Sequence, residues 1–220
     1  MLFKIGVLIY GYFAGALIQA GYWMGKFNKI DIRDYGSGNA GTTNVMRTLG
    51  KKAGIATYLL DAFKAVIADI LIHFLIVPHT AIPEMLLFLY CGLGIVLGHN
   101  FPFYLKFKGG KGIAASSGVV ISLMLFPKYC VMVTVFGILF FALVARISRY
   151  VSLASLIGMA MFFVEFLIWG FLGWLPLNGT DLVEGTVIVF ALAALAFIRH
   201  RSNIVRLVHG TERKIGEKKN

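Results

Sequence analysis

The sequence predicts an all-α, polytopic integral membrane protein with about seven transmembrane helices, its N-terminus outside and its C-terminus in the cytoplasm. Three observations lead there. The chain is 59% hydrophobic and only 14% charged, with mean hydropathy +0.82; soluble domains run at about 45–50% apolar and about 25% charged. Several windows supply the roughly 20 apolar residues that cross a bilayer. They are continuous rather than alternating, so helices and not barrel strands satisfy the backbone there. The third observation is the one-sided placement of Lys and Arg.

Taken in order, the apolar segments cover roughly 4–25, 53–77, 84–104, 112–126, 128–145, 151–174 and 184–199. The first holds a single lysine, Lys4, and runs on to Met24 without a small-x-small cleavage site, so it reads as a retained span rather than a signal peptide. The second contains Asp61 and Lys64, three residues apart and placed to form a structural ion pair, as well as Asp69. The third ends in LGHNFP, with His99 near its end. The fourth is short, and LFPK at 125–128 reads as a tight turn before the fifth. The sixth carries Glu165 and leads into LPLNGTD at 175–181, the clearest turn, where the sequon at Asn178 reads as turn chemistry. The seventh is marginal, so a count of five or six spans stays open. No internal repeat, low-complexity tail or soluble domain stands out, and the expectation is one transmembrane domain over 1–220. Cys91 and Cys130 lie in apolar segments and read as packed, free thiols.

With seven spans, all of the 21 Lys and Arg except Lys4, Lys64 and Lys128 fall in the loops 26–52, 105–111 and 146–150 or the tail from 199. Short cytoplasmic loops carry that excess, which sets the orientation and accounts for most of the net charge of +11. Nucleic acid is not expected as a partner of so apolar a chain. The histidines are scattered and no acidic cluster accompanies the glycines, so neither a metal nor a cofactor is expected.

The cytoplasmic segments hold the chemistry. In DYGSGNAGTTNVMRTLG, 34–50, Gly36, Gly38 and Gly41 clear space where backbone N–H groups can turn to a ligand. Ser37, Asn39 and Asn44 offer neutral hydrogen bonds, and Arg47 a fork suited to phosphate. Thr42, Thr43 or Asn44 can cap a short helix that Gly50 ends. A re-entrant turn with structural glycines explains this stretch about equally well.

KFKGGKGIAASSG, 106–118, places Gly109, Gly110, Lys111 and Gly112 at the start of a helix near Ile113. Backbone donors and the helix dipole favour an anion there, and Lys111 adds a point charge. Lys106 and Lys108 are equally explained as topology signals, but the three glycines around Lys111 are not. Gly112 follows the lysine where a nucleotide-binding loop needs Ser or Thr, which disfavours nucleotide hydrolysis.

RISRYVSLASL supplies Arg146, Arg149, Ser152 and Ser155, the serines sharing a helix face; close helix packing is the competing reading for both serines. In FIRHRSNIVRLVHGTE, 197–212, Arg199, Asn203 and Arg206 form an i, i+4, i+7 stripe of one helix, with His200 three before Asn203. Gly210 can cap that helix and Glu212 can bind a loop backbone or a lysine. A basic tail lying on anionic lipid is the alternative.

Three blocks, GSGNAGTTNVMRTLG, GHNFPFYLKFKGGKGIAASSG and RHRSNIVRLVHGTE, together resemble the three cytoplasmic motifs of the bacterial PlsY family, the acyl-phosphate:glycerol-3-phosphate acyltransferases. The likeness runs essentially end to end. It departs at Gly41-Thr42-Thr43-Asn44, where Gly-Ala-Thr-Asn is expected. The resemblance implies an inner-membrane enzyme with its site facing the cytoplasm. That enzyme transfers a fatty acyl group from acyl phosphate to the 1-hydroxyl of glycerol 3-phosphate, yields lysophosphatidic acid and phosphate, and depends on a separate enzyme that makes the acyl phosphate. It implies catalytic roles for Ser37, Arg47, Lys111, His200 and Asn203. Substrate or phosphate contacts fall to Gly38, Asn39, Asn44, His99, Lys108, Gly109, Gly110, Gly112, Ser152 and Arg206, and structural support to Asp61, Lys64 and Glu212.

Two phosphate-bearing substrates explain why several separate loops are cationic, and a membrane edge lets the acyl tail lie between helices. No Ser-His-Asp triad is indicated. A His with an acid five residues on occurs only as His79 and Glu84, on the expected outer side. Direct attack by the glycerol hydroxyl, with the substrate's own phosphate accepting the proton, is therefore expected, and no acyl-enzyme. The rival class is a small anion or phosphate-ester transporter using Asp61, Lys64, Asp69 and Glu165, but the repeat symmetry that should accompany it is not seen.

Overall fold

A computed structural model describes residues 1–125 and 130–217. The backbone divides into two compact units, Met1–Ser122 and Leu123–Asn220.

In the first unit the opening apolar run is two helices, not the single span expected. Helix α1 (Leu2–Leu17) stops, Ile18 and Gln19 leave helical geometry, and α2 (Ala20–Phe27) resumes. Gln19 is the cause. Its amide is fully buried and must find partners. Its Nε2 donates to the carbonyls of Gly15 at 3.2 Å, Gly98 at 3.4 Å and His99 at 2.9 Å. The break also leaves Ile18 O without an intrahelical donor, and Lys64 Nζ supplies one at 2.8 Å.

Helix α3 (Thr42–Leu49) follows the first cytoplasmic loop and ends at Gly50, whose φ of +91° disfavours a side chain. Its N-cap is Gly41 rather than Thr42, Thr43 or Asn44. Gly41 O accepts from the N–H groups of Asn44 at 3.0 Å and Val45 at 3.1 Å, while the Asn44 side chain turns to the preceding loop. Ile32, Ala40 and Val45 form a small core there, beneath Tyr22 and Met24 of α2.

Helices α4 (Lys51–Leu75), α5 (Glu84–Asn100) and α6 (Ile113–Ser122) complete the unit. Glycines decide how closely they approach. Gly11 and Gly15 of α1 meet Gly94 and Gly98 of α5. A Cβ on Gly15 would overlap Ile95 O, and one on Gly98 would overlap Tyr12 O. These are two facing small-xxx-small pairs, the device by which membrane helices pack without a hydrophobic driving force. Gly118 does the same for α6 against Ala62 O of α4.

The second unit holds α7 (Cys130–Ser148), α8 (Val151–Phe171), α9 (Gly179–Arg199) and α10 (Arg201–Val208). LPLN of LPLNGTD lies between α8 and α9, as expected, while its GTD already forms the first turn of α9; the LFPK turn runs beyond Leu125 into residues outside those described. The expected single helix through 199–206 breaks at His200. The stripe of Arg199, Asn203 and Arg206 is therefore split between α9 and α10.

Among the described residues, five helical stretches are long and apolar enough to cross a membrane: Leu2–Phe27, Glu84–Leu105, Cys130–Ser148, Val151–Phe171 and Gly179–Arg199. Helix α4 has 25 residues but carries Asp61, Lys64 and Asp69, and α6 has only 10 residues. Both cysteines are free and buried. The protein is an all-helical membrane protein.

Candidate active site

The first cytoplasmic loop is built around Asn44. Its amide is buried and donates to Ile32 O at 2.9 Å and Tyr35 O at 3.0 Å, while Oδ1 accepts from the Ser37 N–H at 2.8 Å. All of that bonding holds the loop, so Asn44 shapes the backbone that carries Ser37. Ser37 and Gly38 are exposed, Asn39 is half-buried, and Arg47 stands exposed on the last turn of α3.

Upstream, Arg33 forks onto Asp31, with Nε–Oδ1 at 2.9 Å and Nη2–Oδ2 at 2.7 Å. That pairing pulls the Asp31 carboxyl down to about 2. Nη1 of the same guanidinium reaches Leu105 O at 3.4 Å, which joins the first loop to the second. The two glycine-bearing motifs of this unit thus occupy the same end of it.

The second loop leaves α5 through a tight reversal. Gly109 N–H donates to Asn100 O at 3.2 Å and Gly110 N–H to His99 O at 3.1 Å. These two donors are spent on the end of α5, contrary to the expectation that they face an anion. The donors that remain belong to the first turn of α6, where Ile113, Ala114 and Ala115 precede the first intrahelical bond, Ser116 N–H to Gly112 O at 2.7 Å. Lys111 is half-buried beside that turn, while Lys106 and Lys108 are exposed.

The glycines are required by contact. A Cβ on Gly109 would overlap His99 O, and one on Gly110 would overlap His99 Nε2. Gly112 has φ +85°, and a Cβ there would sit 2.8 Å from Asn100 Oδ1. His99, expected to touch phosphate, is instead buried beneath the turn. Asn100, which the sequence reading passed over, is fully buried under Gly112, with its amide nitrogen and oxygen both lacking a hydrogen-bond partner. The polar step His-Asn at the end of an apolar run was the available signal.

Asp61 and Lys64 form the expected ion pair, Nζ to Oδ1 at 2.9 Å, entirely within the interior. His99 Nδ1 joins it at 2.9 Å from Lys64 Nζ and 3.5 Å from Asp61 Oδ1. Gln19 holds the His99 carbonyl.

In the second unit Glu212 gathers three donors. Ser152 Oγ donates to Oε1 at 3.0 Å, Asn203 Nδ2 to Oε1 at 2.8 Å, and Arg206 Nε to Oε2 at 2.7 Å. Burial works to raise the Glu212 pKa, but the bonds from Arg206, Asn203 and Ser152 outweigh it and hold the carboxyl below the usual glutamate range. Ser152 and Arg206 are thus partners of Glu212, the brace expected of it. Ser155 Oγ returns to its own helix at Val151 O, 2.8 Å away. His200 is buried, and its Nδ1 lies 2.8 Å from Ala196 O. A carbonyl only accepts, so Nδ1 carries the proton and a neutral ring keeps Nε2 as an acceptor. Glu84 takes His73 as its partner, at 2.5 Å, so the spacing from His79 to Glu84 does not mark a catalytic pair.

A family model described as glycerol-3-phosphate acyltransferase matches residues 5–210. A glycerol-3-phosphate acyltransferase of Thermoanaerobacter pseudethanolicus is 39% identical over 218 residues, covering 99% of this chain and 98% of the relative. One from Streptococcus pneumoniae is 40% identical over 212 residues, covering 94% of this chain and 91% of the relative. The crystal structure of PlsY (YgiH), an integral membrane glycerol 3-phosphate acyltransferase in its glycerol 3-phosphate form, superposes with TM-score 0.80 at 32% identity, over 97% of this chain and 96% of that one. Its lysophosphatidic acid form gives TM-score 0.78. A small-residue helix pair, a glycine turn seated on α5, and a match over nearly the whole chain converge, and the protein belongs to the glycerol-3-phosphate acyltransferase family of integral membrane enzymes.

Proposed function

We propose that this enzyme transfers a fatty acyl group from acyl phosphate to the 1-hydroxyl of glycerol 3-phosphate. The hydroxyl oxygen attacks the acyl carbonyl carbon, the bond from that carbon to the phosphate oxygen breaks, and inorganic phosphate leaves. The hydroxyl proton passes to the substrate's own phosphate. Acyl phosphate is a mixed anhydride with a good leaving group, so the protein contributes proximity and charge stabilisation rather than a nucleophile. The observation that carries this reading is the start of α6: open first-turn N–H groups with Lys111 beside them, at the end of an apolar helix. That is a seat for phosphate.

In this reading Lys111, Lys108 and the first-turn N–H groups of α6, positioned by the 109–112 turn, hold one phosphate. Ser37, Gly38, Asn39 and Arg47 hold or position the other substrate, and His200 and Asn203 support the site. The crossing segments are the five long apolar stretches together with α4 and α6, seven in all, with the N-terminus outside and the tail and site on the cytoplasmic face of the inner membrane. A separate enzyme supplies the acyl phosphate.

The test is the purified protein given palmitoyl phosphate and glycerol 3-phosphate. Phosphate release that requires both, with lysophosphatidic acid formed in equal amount, supports the reading. Phosphate-ester flux into vesicles without acyl transfer points to a transporter and overturns it. So does an acyl-enzyme on Ser37 or Ser152 trapped for mass spectrometry, which would replace direct attack.

A further inference from the structure

Beneath the glycine turn lies a buried polar cluster that the reaction as written does not use. Lys64 Nζ, deep in α4, lies 2.8 Å from Ile18 O, 2.9 Å from Asp61 Oδ1, 2.9 Å from His99 Nδ1 and, further off, 3.5 Å from Gly15 O, while His99 Nδ1 is 3.5 Å from Asp61 Oδ1, long for a hydrogen bond. An ammonium has three protons and no acceptor site. A carbonyl and a carboxylate oxygen can only accept, so the arrangement is complete when the third proton goes to His99 Nδ1. The ring is then neutral, with its one proton on Nε2. That nitrogen lies directly under Gly110, where even a methyl group would overlap it.

We infer that Lys64 is a positioning residue: it fixes His99 as the Nε2–H tautomer and so sets the height and orientation of the Gly109–Gly112 turn at the start of α6. Three further features of the sequence serve the same end. The break at Ile18 and Gln19 frees the carbonyl that Lys64 needs. Gln19 Nε2 holds the His99 carbonyl, which also accepts from Gly110 N–H. Asp61 balances the lysine charge, which a buried ammonium requires. Residues placed in this way orient the groups that meet a ligand without meeting it themselves. The inference rests on the reading of this turn as a phosphate seat.

Two measurements test it. In the intact enzyme in lipid nanodiscs with 15N-labelled histidine, the His99 ring is assigned by the signals missing from His99→Gln. An unprotonated Nδ1 and a protonated Nε2 at neutral pH are expected. A proton on Nδ1 overturns the inference, and this wild-type spectrum decides the tautomer whether or not other variants fold. The second measurement compares kinetics of Lys111→Ala with the double variant Asp61→Asn/Lys64→Met, which leaves no lone buried charge. The double variant is expected to raise KM about tenfold or more for the same substrate whose KM rises in Lys111→Ala, with kcat changed less than about threefold. His99→Gln, which keeps a donor near the Nε2 position, is expected to retain more activity than His99→Asn, which does not. A Lys111→Ala defect beside a normal double variant, or a better His99→Asn than His99→Gln, overturns the positioning role alone. If Lys111→Ala leaves both KM values unchanged, the phosphate seat itself is overturned and the positioning role with it.

Discussion

In the proposed reaction, Lys111 is the residue on which the chemistry turns. It is the lysine of its loop that is partly sheltered beside the first turn of α6, while Lys106 and Lys108 point to solvent. Losing a charge-assisted bond to phosphate costs about 1.5–3 kcal/mol, so Lys111→Ala should lower kcat/KM by about ten- to hundredfold. Its unfolding transition, followed by circular dichroism in detergent, should match wild type. Glu212 gives a different kind of prediction. Its folded pKa is depressed, so its stabilising effect is fully present above the ordinary glutamate value of about 4.3 and is lost as pH falls through the lower folded value. The unfolding temperature should therefore drop on acidification below that range, and Glu212→Gln should lower it at neutral pH while flattening the acid slope. The types of these residues were readable in the sequence, and so was the brace. Their partners were not. Arg206 and Ser152 looked like phosphate ligands because Arg and Ser bind phosphate, yet Arg206, six residues from Glu212, and Ser152, 60 residues from it, both meet that one carboxylate.

At the scale of elements, the glycines separate into those that let backbones meet and those that do not. A Cβ on Gly98 would overlap Tyr12 O of α1, whereas Gly6, also in a helix, has nothing within 4 Å. Gly98→Ala should destabilise by about 1–3 kcal/mol, the range for overpacking. Gly6→Ala should be neutral or stabilising by up to about 1 kcal/mol through helix propensity. Thermal unfolding of the two variants under the same conditions checks this contrast. The facing pairs, Gly11 with Gly15 and Gly94 with Gly98, were visible as four-residue spacings in two apolar segments, but only the fold says which helix faces which. Apolar length alone placed α4 to α9 close to where they occur. It failed at Gln19, where a single buried polar side chain breaks the run, while at His200 the expected continuous helix through 199–206 is what failed. The same limit explains the glycine turn. Sequence reasoning pointed the N–H groups of Gly109 and Gly110 at a ligand, whereas the end of α5 takes them first, which leaves the first-turn N–H groups of α6 as donors for the proposed phosphate.

For the whole molecule, the asymmetry of Lys and Arg predicts a topology that reporter fusions can test. A fusion after residue 217 should report the cytoplasm, and a tag before Met1 should be reached by a membrane-impermeant label from outside. Composition by itself pointed to a membrane, because so few charges among so many apolar residues lie far from the composition of soluble domains. Three cytoplasmic motifs in their order by themselves pointed to the acyltransferase family, and that resemblance implied two phosphate-bearing substrates. Tertiary structure alone decided what each polar residue does there. A buried donor or acceptor must be satisfied by whatever lies within about 3 Å, and that neighbour is set by helix packing rather than by position in the chain. Thus Asn44 shapes a loop, His99 supports a turn, and Lys64, 35 residues away in sequence, holds His99 in place.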